Sequence, residues 1–299
     1  MTDLLDWQID LNGVLMGAGT PVNIIDTSGL GLPAVRDADV DQPGRDGRWP
    51  GPDYYGGRQV QIDAAVKVPG DPGGCQAVLA ALQQAANDPS VRLAGGATMP
   101  LRMKRPGRPT KVLYGRVRRI DPEYKQLIHG YVPVDIEFQA TDATWYGDGD
   151  QVTEIPLGWL SGGGFTAPVQ APIHVTSGAT AADRPGWVDN QGDGAAWPVL
   201  RVTGPCSNVT ITHADSGRSL ALPTLTLAST SEWVELDTRP GQVSVLRENG
   251  GNAEGLLTPA SRLDQFSLPA GRSEMRWTAT DPTNTSRLRV TWRNAYTAL

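Results

Sequence analysis

The residues able to do chemistry are few and scattered. His213, Asp215 and Ser216 bring together the three side-chain types of a hydrolase triad within four positions. A triad is assembled in space from distant segments, with the histidine between nucleophile and acid. Here the three residues run into Gly217, so the segment is expected to be a polar turn. His129, His174 and His213 lie far apart, with no His or Cys at ligand spacing. Asp189-Asn190-Gln191-Gly192-Asp193-Gly194 supplies oxygen ligands, but lacks the spaced ligands and terminal Glu of an EF-hand. A structural calcium at Asp189–Asp193 and a plain polar turn both stay open. Cys75 falls on an apolar helical face, and Cys206 precedes a strand. Two cysteines support neither a disulfide framework nor a Cys-rich zinc site. No GxSxG, P-loop or GxGxxG run is present. These readings predict no catalytic, metal or cofactor-binding residue, and hence no enzyme.

Two other patterns point toward contacts. From Pro89 to Ile120 there are nine Lys or Arg and no Asp or Glu, in a chain of net charge −6. Arg102, Lys104, Arg105, Arg108 and Lys111 surround Pro106-Gly107 and Pro109, which suggests a protruding hairpin or loop. Such an island steers an acidic partner; without interleaved aromatics it is not expected to read nucleic acid specifically. Asp37, Asp39 and Asp41, on one face of an extended segment, are the acidic candidates in a neighbouring copy. The second pattern is Asp41 to Gly57. It holds eight Gly or Pro in 17 residues together with Trp49, Tyr54 and Tyr55. Loops of this length are uncommon in compact domains and are usually functional or disordered. Trp49, Tyr54 and Tyr55 are therefore candidate subunit contacts.

The elements that must position these residues are mostly strands. The chain has 299 residues, with 35 glycines and 24 prolines. That is roughly a fifth of the chain, against about 12% in average usage. The excess favours short strands and turns. Val60, Ile62, Ala64, Val66 and Val68 alternate, as do Val132, Val134, Ile136 and Phe138. Period two predicts strands with one buried face. Val22–Ile25 and Val112–Ile120 are weaker strand candidates. Cys75, Val78, Leu79, Leu82, Ala85 and Ala86 instead share one helical face. Asp71 is placed to cap that helix with Pro72 at its first position, and Asn87-Asp88-Pro89 ends it.

Composition shifts near 145–150, which predicts a first domain over 1–147 and a second over 148–299. After Pro198, nine short strands are suggested: Val199–Val202, Val209–Thr212, Leu220–Leu222, Leu225–Leu227, Trp233–Leu236, Val243–Leu246, Phe266–Leu268, Glu274–Ala279 and Leu288–Trp292. Turn residues fall between them every eight to twelve positions, as in a sandwich or barrel. The fold class expected is mainly β: an N-terminal mixed β domain with one helix, then an antiparallel β-sandwich. Exposed tryptophans on a sandwich could stack sugars. Trp277 and Trp292, however, sit in the apolar phase of their strands and are assigned to the core. The longest uncharged run, Ile155 to Ala182, is broken by Gly162-Gly163-Gly164 and prolines, so no membrane insertion is expected. The acidic N-terminus is unlike a signal peptide.

The order of these pieces resembles the distal tail protein (Dit) family of long-tailed siphophages, also called minor tail proteins in phages of actinobacteria. The blocks that carry the resemblance are Gly29 to Arg36, Gly51-Pro52-Asp53-Tyr54-Tyr55-Gly56-Gly57-Arg58, the helix, and Arg116 to Tyr146. In the second half they are Asn190 to Asp193, Pro198 to Gly204, Leu236-Asp237-Thr238 and Ser261 to Gly271. The resemblance implies a hexameric ring at the end of the tail tube, closed by the N-terminal domain. It implies a galectin-like or carbohydrate-module-like C-terminal domain pointing outward. The implied partners are copies of the same chain, the tail tube protein, the tape measure protein, the baseplate hub, and receptor-binding or side-fibre proteins. Assembly in the host cytoplasm and residence in the virion follow from it. A carbohydrate-binding module is the alternative reading. A glycan-active enzyme is a third; it would need two apposed carboxylates.

Overall fold

The computed structural model describes residues 3–157 and 185–299. His174, the Gly162–Gly164 break and most of the Gly/Ala/Thr/Pro-rich stretch after Ser161 lie outside the described residues. The chain divides into two compact units, Met1–Asp148 with Tyr296–Leu299, and Gly149–Ala295. The expected boundary at 147/148 assigns the last four residues to the second domain. Their contacts are with the first unit instead. Lys111 Nζ donates to the Ala298 carbonyl at 2.6 Å, and its ammonium lies 4.0 Å from the Tyr296 ring centroid.

The first unit is built on strands β1 (Gln8–Leu11), β2 (Val14–Gly17), β3 (Val22–Ser28), β4 (Val35–Arg36), β5 (Val40–Asp41), β6 (Arg48–Trp49), β7 (Tyr54–Tyr55), β8 (Gln59–Lys67), β9 (Met99–Met103), β10 (Lys111–Pro122), β11 (Tyr131–Ala140) and β12 (Trp145–Gly147). Helices α1 (Pro72–Ala86) and α2 (Pro89–Arg92) lie between β8 and β9. The main sheet runs β2-β1-β9-β10-β11-β8-β3, with β12 beside the start of β10. The alternating residues read from the sequence meet across one pair. Val66 opposes Val132, Ala64 opposes Val134, Ile62 opposes Ile136 and Val60 opposes Phe138. All eight are buried. Burial of such cross-strand pairs on one face sets the register, because a one-residue slip would turn the whole set to solvent.

The helix begins one turn earlier than its apolar stripe. Asp71 Oδ1 accepts from the Gly74 amide at 2.8 Å, and Pro72 occupies the first position. Cys75, Leu79 and Leu82 are buried against the sheet. Asn87 ends α1 as expected. Asp88 then caps a further turn, α2, by accepting from the Ser90 amide. β1, β2 and β9 were not expected; they carry no clean alternation.

The second unit contains β13 (Gln151–Pro156), β14 (Trp187–Asn190), β15 (Val199–Thr203), β16 (Cys206–His213), β17 (Arg218–Leu227), β18 (Trp233–Asp237), β19 (Ser244–Arg247), β20 (Gly271–Thr280) and β21 (Arg287–Trp292). They form an antiparallel five-stranded sheet, β13-β21-β15-β18-β19, and a four-stranded sheet, β14-β20-β16-β17. Two tryptophans tie the sheets face to face. Trp277 Nε1 donates to the Ile155 carbonyl at 3.0 Å, and Trp292 Nε1 to that of Asp189 at 3.3 Å. Both rings are buried, which is the core assignment made from their strand phase. The Leu220–Leu222 and Leu225–Leu227 candidates are one strand, β17. Phe266–Leu268 is a correction. A 3₁₀ turn, Leu263–Gln265, leads into it, and only Leu268 makes a bridge, to Ala196. Phe266 and Leu268 are buried nonetheless: burial, not strand pairing, explains the apolar run.

Candidate assembly surface

The Asp41–Gly57 segment is part of a two-stranded ribbon. It continues the paired strands β3 and β8 outward. Val35 and Arg36 pair with Tyr55 and Tyr54, and Val40 and Asp41 pair with Trp49 and Arg48. Between these rungs the Gly51 amide donates to Asp39 Oδ1 at 2.9 Å, and Gln42 closes the tip by donating to the Gly47 carbonyl. Gly51 must be glycine, because a Cβ there would lie 2.1 Å from the Ala38 carbonyl oxygen.

The ribbon exposes its apolar side chains. Trp49, Tyr54 and Tyr55 are 56, 57 and 54% exposed, and Leu32, Val35 and Val40 are exposed beside them. An isolated two-stranded ribbon is marginally stable in water. A contiguous exposed apolar patch marks an interaction surface more often than a solvated one. The base of the ribbon is fixed to the body by Arg58. This guanidinium is buried and donates to the carbonyls of Gly29, Gly31, Ala143 and Thr297. Its carbon lies 5.5 Å from the Trp145 ring centroid. Burial lowers its pKa, with Asp142 opposing the shift.

The basic island divides into inward and outward groups. Arg102 is 3% exposed. It forms a two-pronged pair with Asp148, at 2.7 and 2.6 Å, and donates to Asp10 at 2.8 Å. Hydrogen bonding to Asp148, then to Asp10, holds it firmly charged against the cost of burial. Lys111 is buried as well. The expectation that all five residues protrude is therefore corrected for these two: they lie in β9 and β10, and their charges are consumed inside the subunit. Lys104 caps the Leu4 carbonyl at 2.8 Å. Arg105 reaches Thr27 Oγ1 at 2.5 Å and lies over the Trp7 ring. Arg108, in the turn after Pro106-Gly107, is exposed.

Further outward charge of the same stretch lies beside α2. Arg92, Arg116, Arg118 and Arg119 rim a cleft of about 410 Å³ between the end of α1, α2 and the second half of β10. Sequence reading missed this grouping. The only signal was the absence of acids through Ile120, without any indication of which cations face out.

The other candidates are dispersed over the second unit. His213 Nδ1 is 2.7 Å from Ser216 Oγ, and its Nε2 is 4.0 Å from Asp215 Oδ2. The imidazole is 1% exposed, edge-on to Phe266, whereas Asp215 and Ser216 are exposed. Burial lowers the His213 pKa, with Asp215 opposing. The folded value thus lies below the unfolded one of about 6.5. Stability from the neutral imidazole is present above that value and is lost as pH falls through it. The urea midpoint is expected to drop between about pH 7.5 and 5.5, and to drop less in His213→Gln. Equal drops in the two proteins would contradict the assignment.

Asn190 organises the Asp189–Gly194 turn. Its Oδ1 accepts from Gly192 and Ala295 amides, and its Nδ2 donates to the Gly194, Leu268 and Pro269 carbonyls. Its side chain is committed to backbone groups. Among the described residues no cluster of three or more His, Cys, Asp or Glu could hold a metal ion. Trp187 and Trp233 each lie under an arginine, Arg272 at 4.3 Å and Arg201 at 4.2 Å.

No protein family and no curated protein matches the sequence. Solved structures do. The chain is similar to the Dit protein (gp 19.1) of phage SPP1, described as a paradigm of the hub adsorption apparatus in phages infecting Gram-positive bacteria. The TM-score is 0.58 at 14% identity, over 95% of this chain and 97% of that one. It is also similar to a chain of the phage P2 baseplate in its activated conformation with calcium, with TM-score 0.55 at 11% identity, over 95 and 97%. A third match is to the phage p2 baseplate with strontium, with TM-score 0.54 at 11% identity, over 95 and 96%. The fold of the described residues is thus Dit-like.

Proposed function

We propose that the chain is a structural component of a phage tail tip, a Dit-type adaptor whose first unit closes a ring of identical copies. The observation that carries this reading is the exposed aromatic ribbon, Val35 to Tyr55, which brings Trp49, Tyr54 and Tyr55 to the surface of one paired segment. The Dit and baseplate likeness over nearly the whole chain supports it. A ribbon that exposes Trp49, Tyr54 and Tyr55 is completed by a surface that buries them. In a closed ring each copy supplies that surface to the next, and no edge is left over. The number of copies proposed is six. On this reading the ring joins the tail tube and tape measure proteins to the baseplate hub, and the second unit carries receptor-binding or side-fibre components. The protein would act by position and contact, without catalysis, in the assembled virion.

Light scattering on the purified chain, with negative-stain imaging, tests the reading. Rings of uniform size are expected. Trp49→Ser with Tyr55→Ser is expected to shift mass toward the monomer while leaving the melting temperature of the monomer within a few degrees. A wild-type chain that stays monomeric at the highest concentration reached would remove the ring from the proposal.

A further inference from the structure

The ring reading names the ribbon but not its seat, and the inference that follows rests on that reading. We propose that the ribbon of one copy docks in the arginine-rimmed cleft of the next copy. Arg92, Arg118 and Arg119 are exposed on this rim. Arg119 is partnered by Asp121. Arg116 is turned to the Ala94 and Ala97 carbonyls and braces the rim from beneath. Among the described residues, Arg92 and Arg118 make no ion pair or side-chain hydrogen bond. Between the arginines, Val91, Val117 and Ile120 line the floor together with Gln83 and Asn87. The cleft is thus a trough of mixed polar and apolar lining with two uncommitted cations at its edge.

The ribbon carries the complementary pattern. Its exposed apolar groups sit next to acids: Asp37, Asp39, Asp41, Asp46 and Asp53 against Arg36, Arg45 and Arg48. Arg48 is occupied by Asp41 and Asp37 within the ribbon, at 2.8 and 3.8 Å. Asp39 holds the Gly51 amide. Asp46 and Asp53 have no partner among the described residues. Two free carboxylates beside exposed aromatics therefore match two free guanidiniums beside a partly apolar floor. Charge arranged in this way fixes register and speeds encounter, while the apolar contact supplies affinity. The occupant is another copy, because within its own chain the ribbon is exposed rather than seated. Its limb runs from Ala34 to the tip turn at Gln42, at most about 26 Å at about 3.3 Å per residue. Ribbon-to-cleft contact is head-to-tail, and head-to-tail contacts are the kind that close into rings.

The test is a charge swap read by light scattering, with thermal melts confirming that each variant folds. Arg92→Glu with Arg118→Glu changes the cleft; Asp46→Arg with Asp53→Arg changes the ribbon. Each pair alone is expected to weaken assembly at least tenfold in the concentration required, more at low salt than at high. The four changes together are expected to restore assembly. If the wild type forms rings and the cleft variant forms them equally well at both salt concentrations, the cleft is not the seat and the ring reading survives. If both single-sided variants fail but the combination does not recover, the two surfaces do not face each other, and the inference falls. A monomeric wild type overturns the ring reading and this docking with it.

Discussion

Replacing Arg102 by Met is expected to cost about 3 kcal/mol or more of the first unit's stability. Arg102 sits directly opposite Asp10 across β9 and β1, with Asp148 closing on it from the far end of the same unit. Its side chain is 4% exposed, and those of Asp10 and Asp148 are 12 and 22%. Removing the guanidinium strands two carboxylates near one another in a place with little water. Breaking a buried pair in this way costs far more than the pair contributes against an apolar replacement. Asp10→Asn and Asp148→Asn added to Arg102→Met should therefore recover part of the loss. Urea unfolding of the three proteins checks this. An Arg102→Met midpoint equal to that of wild type would mean that the three charges are solvated in solution.

Leu79→Asp is the second large effect. Leu79 is 2% exposed, midway along α1, and packs into the same core as Leu82 and Cys75. An aspartate there removes a large apolar contact and buries a carboxylate without a partner, for an expected loss of about 3 kcal/mol or more. Ala81→Asp, on the exposed side of the same helix, is the control, and its cost should stay within roughly 1 kcal/mol. A thermal melt in which the two variants coincide would contradict the placement of the helix. The contrast separates burial from helix propensity, since both substitutions introduce the same residue.

Part of the candidate assembly surface is legible in the sequence and part is not. Trp49, Tyr54 and Tyr55 stood out because large aromatics are unusual in a segment so rich in Gly and Pro. The ribbon itself was hidden, because its pairings are only two residues long and leave no alternation to count. The basic stretch is visible as charge, and Pro106-Gly107 suggests that it protrudes there, but composition does not say which of its cations face out. Lys and Arg are mostly exposed, so Arg102 and Lys111 counted toward the surface. They are inside because carboxylates and carbonyls distant in the chain meet them: Asp10 is 92 positions from Arg102 and Ala298 is 187 from Lys111. Composition around a residue cannot report a partner at that separation.

What the sequence determined by itself is what depends on near neighbours. The period-two strands β8 and β11, the capped helix, the mainly β class and the core tryptophans of β20 and β21 all follow from side-chain spacing and local backbone preference. The tertiary structure alone decided which charges are spent in the interior, that Asn190 pins the turn expected to be either polar or calcium-binding, and that Tyr296–Leu299 returns to the first unit. Each of these depends on pairing two groups far apart in the chain. The free energy of such a pair comes from removing both members from water together, and neither member carries that information alone.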